Sequence, residues 1–194
     1  MVLELALRST IALLLLAALA TGGCDRQSGA SGQANHSLGG PNASAPAGRD
    51  KLDRSHKGEA APAIPFTDPA GKARTLADFT GKPVLLNLWA TWCAPCVKEM
   101  PTLDALAVAK GDALQVLTIS QDLKGAELVT PFFEKAQFKK LQPYLDTEIA
   151  WSMQLGANLP TTILYDSAGK EVWRVMGEMD WMGAEAAALI AEAK

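Results

Sequence analysis

The sequence predicts an α/β domain, with a central mixed β-sheet flanked by helices. Three observations point there. Two short runs, Val84–Trp89 and residues 114–120, are apolar on both faces, as buried parallel strands are. Between them lies a helix-length stretch with Met100, Leu103, Leu106 and Ala107 on one stripe. After Pro160 two strands joined by a tight turn precede an alanine-rich closing helix, so antiparallel and parallel pairing must coexist.

The chain opens on a targeting segment. Arg8 provides a thin positive region, weakened by Glu4, and residues 11–20 form an apolar run too short to span a bilayer. Residues 18–20 (Ala-Leu-Ala) fit a small-x-small cleavage site that would release a soluble protein. Residues 21–24 (Thr-Gly-Gly-Cys) resemble a bacterial lipobox, departing from it at Thr21. Lipidation of Cys24 is the preferred reading, because it accounts for a third cysteine with no partner. An uncleaved anchor over residues 3–20 is the third reading. All three place the rest of the chain outside the cytoplasm, on the periplasmic side of the inner membrane or free in the periplasm. Asp25, directly after Cys24, resembles an inner-membrane retention signal. With residues 1–24 as the signal, residues 25–58, rich in Gly, Ser, Ala, Asn and Pro, read as a flexible tether. Such a chain reaches about 30 Å.

The folded domain is expected over residues 59–194. It begins with a hairpin, residues 63–66 and 73–76, turning at Asp68-Pro69-Ala70-Gly71. Gly81-Lys82-Pro83 punctuates the chain before the Val84–Trp89 strand. A helix follows over 94–109, with Pro101 expected to kink it. The strand over 114–120 is followed by a helix over 127–137 containing Pro131, and a short strand over 141–145. A short helix over 149–155 stops at Gly156. Strands over 161–165 and 171–176, turned by residues 166–170, lead to a final helix over 184–193.

Composition narrows the function. A net charge of -3 without a basic run argues against nucleic acid as a partner. Three cysteines, Cys24, Cys93 and Cys96, do not build a disulfide scaffold. The two histidines, His36 and His56, both fall before the expected domain.

The chemistry resides in Trp92-Cys93-Ala94-Pro95-Cys96, directly after the first buried strand. Cys93 stands where a helix begins, and the unpaired N–H groups and positive dipole end there favour a thiolate. Cys96, one turn on, is placed to resolve a mixed disulfide formed at Cys93. A purely structural bridge is disfavoured, because so small a loop constrains the unfolded chain little. A zinc site is disfavoured because it needs about four ligands and the domain holds no second cysteine pair or histidine.

Residues 88–101 (Leu-Trp-Ala-Thr-Trp-Cys-Ala-Pro-Cys-Val-Lys-Glu-Met-Pro) resemble the active-site stretch of the TlpA/ResA/CcmG family of extracytoplasmic thioredoxin-like proteins. Leu159-Pro160-Thr161-Thr162 resembles that family's cis-proline loop. The resemblance extends over residues 59–194 and includes the opening hairpin and an extra βα insertion. It implies a thioredoxin-like fold and thiol–disulfide exchange without a cofactor or metal. It also implies a cis Leu159–Pro160 bond against the cysteine pair, and a client-binding rim at Trp92, Pro95, Leu159, Pro160 and Thr161. Glu99, three residues after Cys96, is implied as a proton-transfer group; a solvated helix-face glutamate is the plain alternative. Asn87 stands where cytoplasmic thioredoxins carry a buried aspartate and cannot take a proton, so that role passes to Glu99. Trp89 is expected in the core. Met176, Met179, Trp181 and Met182 read as core filling or a docking surface rather than a copper patch.

The expected function is therefore a membrane-tethered thiol–disulfide oxidoreductase. By resemblance it is a reductase of client proteins with oxidised cysteines in cytochrome c or copper-site maturation, re-reduced by a DsbD-type membrane carrier and acting as a monomer. Two alternatives stand beside it. A thiol peroxidase would carry Pro-x-x-x-Thr-x-x-Cys, yet Ala90 occupies the threonine position. A non-enzymatic copper-delivery module would use Cys93 and Cys96 as ligands, and the domain's lack of histidine speaks against it.

Overall fold

The computed structural model describes residues 51–193. The targeting segment, Cys24, Asp25 and most of the expected tether lie outside the described residues.

Eight strands form one sheet: β1 (Leu52–Asp53), β2 (Phe66–Thr67), β3 (Ala73–Arg74), β4 (Val84–Trp89), β5 (Gln115–Ser120), β6 (Tyr144–Leu145), β7 (Thr161–Tyr165) and β8 (Glu171–Met176). Their order is β1-β8-β7-β4-β5-β6-β2-β3. β4 pairs parallel with β5 and antiparallel with β7, so the mixed sheet is observed around the strand that leads to the cysteines. The helices are α1 (Ala94–Lys110), α2 (Ala126–Ala136), α3 (Ala150–Leu155) and α4 (Ala184–Ile190).

Alternation along β4 divides the core. Leu85 and Trp89 face one side with Met100 and Leu103 of α1, Val129 of α2 and Ala186 and Leu189 of α4. Val84, Leu86 and Leu88 face the other side with Phe66, Leu117, Ile119, Ile163 and Trp151 of α3. Both faces of the sheet are thus covered, which explains why its central strands read as unbroken apolar runs. The expected stripe Met100, Leu103, Leu106 and Ala107 is the buried face of α1, and this helix continues through Pro101 to Gly111.

Four expectations are corrected. The folded domain starts before residue 59: Leu52 and Asp53 pair with Val175 and Arg174 of β8, and Gly58 N–H donates to Glu171 O, so residues 51–58 belong to the domain rather than to the tether. His56 therefore lies within the domain, its ring nitrogen Nδ1 3.1 Å from Glu59 Oε2. The strand expected over 141–145 is reduced to Tyr144–Leu145, because the Lys139, Lys140 and Leu141 N–H groups donate to the Asp104 carboxylate of α1 instead of the sheet. α4 ends at Ile190, where the chain tightens into turns, with Glu192 N–H donating to Leu189 O and Ala193 N–H to Ile190 O.

Candidate active site

Cys93 is the N-cap of α1. Its backbone is extended (φ -88°, ψ 97°), Pro95 follows in the first turn, and its Sγ accepts the Cys96 N–H at 3.3 Å. The Cys93–Cys96 disulfide is closed, with 5.3 Å between Cα atoms. Cys96 is fully enclosed, whereas Cys93 keeps a narrow opening, 6% exposed. A sulfur attacking from another molecule therefore has access to Cys93 only. No acidic residue occupies the first turn of α1, so nothing there opposes the helix dipole.

The rim has exposed and buried parts. Trp92 is 70% exposed. Pro95 is exposed as well, whereas Leu159 is half-buried against the core cluster that contains both cysteines. The Leu159–Pro160 bond is cis. Register places it: Leu88 of β4 pairs with Thr161 of β7, so Pro160 stands at the end of β4 from which the redox loop departs. Pro160 and Thr161 are themselves buried. Pro160 O accepts the Gly177 N–H at 2.7 Å, and the Thr161 hydroxyl donates to Asn158 O. These two shape the loop, and the side chains of the expected rim that reach solvent are Trp92, Pro95 and, in part, Leu159.

Glu99 is not a solvated helix-face residue. Alternation on β4 points Asn87 toward α1, where its Nδ2 donates to Glu99 Oε1 at 2.8 Å and to Thr162 Oγ1 at 2.9 Å. Glu99 Oε2 accepts the Met179 N–H at 3.0 Å and the Trp181 indole N–H at 3.2 Å. Burial pushes the Glu99 carboxyl up to about 7, against the pull of these three donors. A carboxyl with that pKa, one helical turn beyond Cys96, exchanges protons near neutrality. Met179 and Trp181 thus belong to the Glu99 environment, while Met176 and Met182 stay exposed. Trp89 is fully buried, as expected.

Sequence reasoning missed Asp122. It is buried at the end of β5 and accepts both the N–H and the hydroxyl of Thr91, two residues before Cys93. The available signal was the polar run Ser120-Gln121-Asp122, at the end of a buried strand parallel to the one that leads to the cysteines. The contribution of Trp181 had no such signal, because only the fold brings it to Glu99. Among the described residues, no group of three or more His, Cys, Asp or Glu side chains is placed to hold a metal ion.

Residues 56–190 match the Redoxin family model. The chain is 38% identical over 123 residues to a thiol-disulfide oxidoreductase ResA of Bacillus cereus, covering 62% of this chain and 70% of that protein. It is 30% identical over 135 residues to ResA of Bacillus subtilis, covering 69% and 73%. Among solved structures it is similar to a putative thiol:disulfide interchange protein DsbE from Chlorobium tepidum, with TM-score 0.61, 25% identity and coverage of 71% and 96%. It is also similar to the exposed lipoprotein thioredoxin Etrx1 of Streptococcus pneumoniae, with TM-score 0.56, 29% identity and coverage of 65% and 96%. A family match over most of the chain, a thioredoxin-like fold and a cysteine pair at a helix start converge: the chain belongs to the redoxin family, as an extracytoplasmic-type thiol–disulfide oxidoreductase of the TlpA/ResA/CcmG group.

Proposed function

We propose that this oxidoreductase works as a disulfide reductase, tethered to the outer side of the membrane. In this reading Cys93 attacks a client disulfide and Cys96 releases the client by closing the bridge with Cys93. Each cycle oxidises the pair by two electrons and leaves the client with two thiols. The observation that carries the reading is the asymmetry of the pair, with Cys93 open at the helix start and Cys96 enclosed behind it. Trp92, Pro95 and Leu159 form the apolar rim on which the client's chain lies. Leu159 makes no backbone hydrogen bond among the described residues, so its peptide groups are free to pair with an extended segment.

The reducing direction is favoured by Glu99, whose carboxylate form opposes a second negative charge on the thiols nearby. His56 does not supply a compensating charge to the pair, since it sits beside Asp53 and Glu59 at the β1 edge. Clients in cytochrome c or copper-oxidase maturation, with a DsbD-type carrier as electron donor, fit a reductase that must act in an oxidising compartment. The lipoprotein named among the similar structures supports lipidation at Cys24 over release.

Equilibration of the full chain with glutathione buffers tests the direction. A midpoint more negative than about -200 mV is expected, in the range of thioredoxins and glutaredoxins. A midpoint near about -120 mV, as in a strong oxidant, would overturn it.

A further inference from the structure

Asp122 is a buried carboxylate, 1% exposed, that forms no ion pair among the described residues. Both of its side-chain oxygens are directed at the redox loop. Oδ2 accepts the Thr91 N–H at 2.9 Å and Oδ1 accepts the Thr91 hydroxyl at 2.7 Å. The Ser120 hydroxyl donates to Oδ2 at 2.8 Å, and its oxygen accepts the Asp122 N–H at 3.1 Å. The Asp122 carbonyl accepts the N–H of Gly125, the cap of α2, and the Gln121 N–H donates to Trp89 O. On the other side of Thr91 the turn is closed by a single bond, Cys93 N–H to Ala90 O at 3.1 Å.

We propose that Asp122 is a positioning residue for the redox pair, gripping Thr91 at two points and so fixing the turn that aims the Cys93 sulfur at the first N–H groups of α1. This rests on Cys93 being the attacking thiol. The reduced sulfur at an N-cap is a better anion than a free thiol only while it stays in line with those donors. Cys93 Sγ takes the Cys96 N–H from that position. A loosened turn lets the sulfur move off the helix axis without unfolding the sheet behind it.

The role is one of hydrogen bonding rather than of charge, and two substitutions separate the two. In Asp122→Asn the side-chain oxygen accepts from Thr91 N–H and Ser120, while the amide donates to a reversed Thr91 hydroxyl, so the grip survives without the charge. Asp122→Ala removes the grip. Thr91→Val removes the hydroxyl bond alone and leaves no large void. Other charged groups on the neighbouring elements are Glu99, the exposed Lys98–Glu178 ion pair and, at the start of α2, the exposed Lys124–Glu127 pair, and none of the three substitutions replaces any of them.

The test is iodoacetamide alkylation of the reduced full chain between pH 5 and 10, with each cysteine followed separately by mass spectrometry. Asp122→Ala is expected to move the Cys93 midpoint up by about half a unit to one unit, which reads as about three- to tenfold slower alkylation near pH 7. Thr91→Val moves it in the same direction by less. Asp122→Asn is expected to move it up by no more than about 0.3 unit. An unmoved profile in Asp122→Ala, or an upward shift in Asp122→Asn as large as in Asp122→Ala, would overturn the inference. If Asp122→Ala does not fold, Thr91→Val decides by the same criterion. If Cys96 reacts ahead of Cys93 in the unsubstituted chain, the thiol assignment itself falls, an outcome distinct from a failure of Asp122.

Discussion

Asn87 donates its side-chain amide to Glu99 Oε1 across 2.8 Å, joining the central strand to the helix that carries the cysteines. The bond explains why a polar residue is tolerated in the middle of an apolar strand. It also turns a helix-face glutamate into a buried acid. All three partners of Glu99 are N–H donors, which suit its ionised form, yet burial wins and the carboxyl titrates at about 7.

Stability should consequently depend on pH through Glu99. The folded state holds this proton more tightly than the unfolded chain, whose ordinary value is 4.5. The contribution is complete below about pH 4.5 and is lost as pH rises through 7, by up to about 3 kcal/mol. Glu99→Gln should flatten that stretch of the profile. Urea unfolding of the oxidised protein at pH 5 and pH 8 measures it, and parallel profiles for the two proteins would refute it.

Asn87→Asp should bring a second carboxyl within hydrogen-bonding distance of Glu99. Two such groups cannot both ionise cheaply in a buried site, so the pair should keep one proton above neutral pH and titrate in two steps. Carbon-13 NMR of the labelled carboxyls reads this directly. Independent titration of the two groups near ordinary values would contradict the geometry.

Trp92→Ala should separate docking from folding. The side chain is 70% exposed, so the unfolding free energy should change by no more than about 0.5 kcal/mol. Reduction of a disulfide-bearing client peptide should show a KM raised several-fold, with the pH profile of Cys93 unchanged. An unchanged KM would remove Trp92 from the rim.

Asp104→Ala should act on stability alone. Burial pushes this carboxyl up, but the Lys139, Lys140 and Leu141 N–H groups overcome it and hold the carboxyl below its usual range. Without Asp104 those donors lose their acceptor, for a cost of about 2–3 kcal/mol. The contribution is present above the ordinary carboxylate range and fades as pH falls through the depressed value. Thermal unfolding checks it, and a Tm within 1–2 °C of the unsubstituted protein, roughly the shift of about 0.5 kcal/mol, would refute it.

Much of the architecture was legible because the strands flanking the redox loop are buried on both faces, so Val84–Trp89 and Thr161–Tyr165 show as uninterrupted runs with clear ends. Cys93 and Cys96 were legible because spacing and helix start together define a chemistry. What the sequence hid depends on distant partners. Residues 141–145 look like a short strand, and only the position of Asp104 on α1 shows that the N–H groups of residues 139–141 turn away to its carboxylate. Leu52 and Asp53 follow a polar tract and carry too little apolar weight to announce a strand, yet β8 offers them an edge. Glu99 kept two readings, because the enclosing groups, Trp181 and Met179, come from the far end of the chain.

The most direct test of the central claim uses the reduced Cys96→Ser protein and an excess of a peptide disulfide, with the product mapped by proteolysis and mass spectrometry. A stable mixed disulfide should accumulate on Cys93, while reduced Cys93→Ser, with Cys96 enclosed, should form none within the domain. A Cys96→Ser protein that forms no adduct at Cys93, or a Cys93→Ser protein that forms one at Cys96, would contradict the division of labour between the two sulfurs.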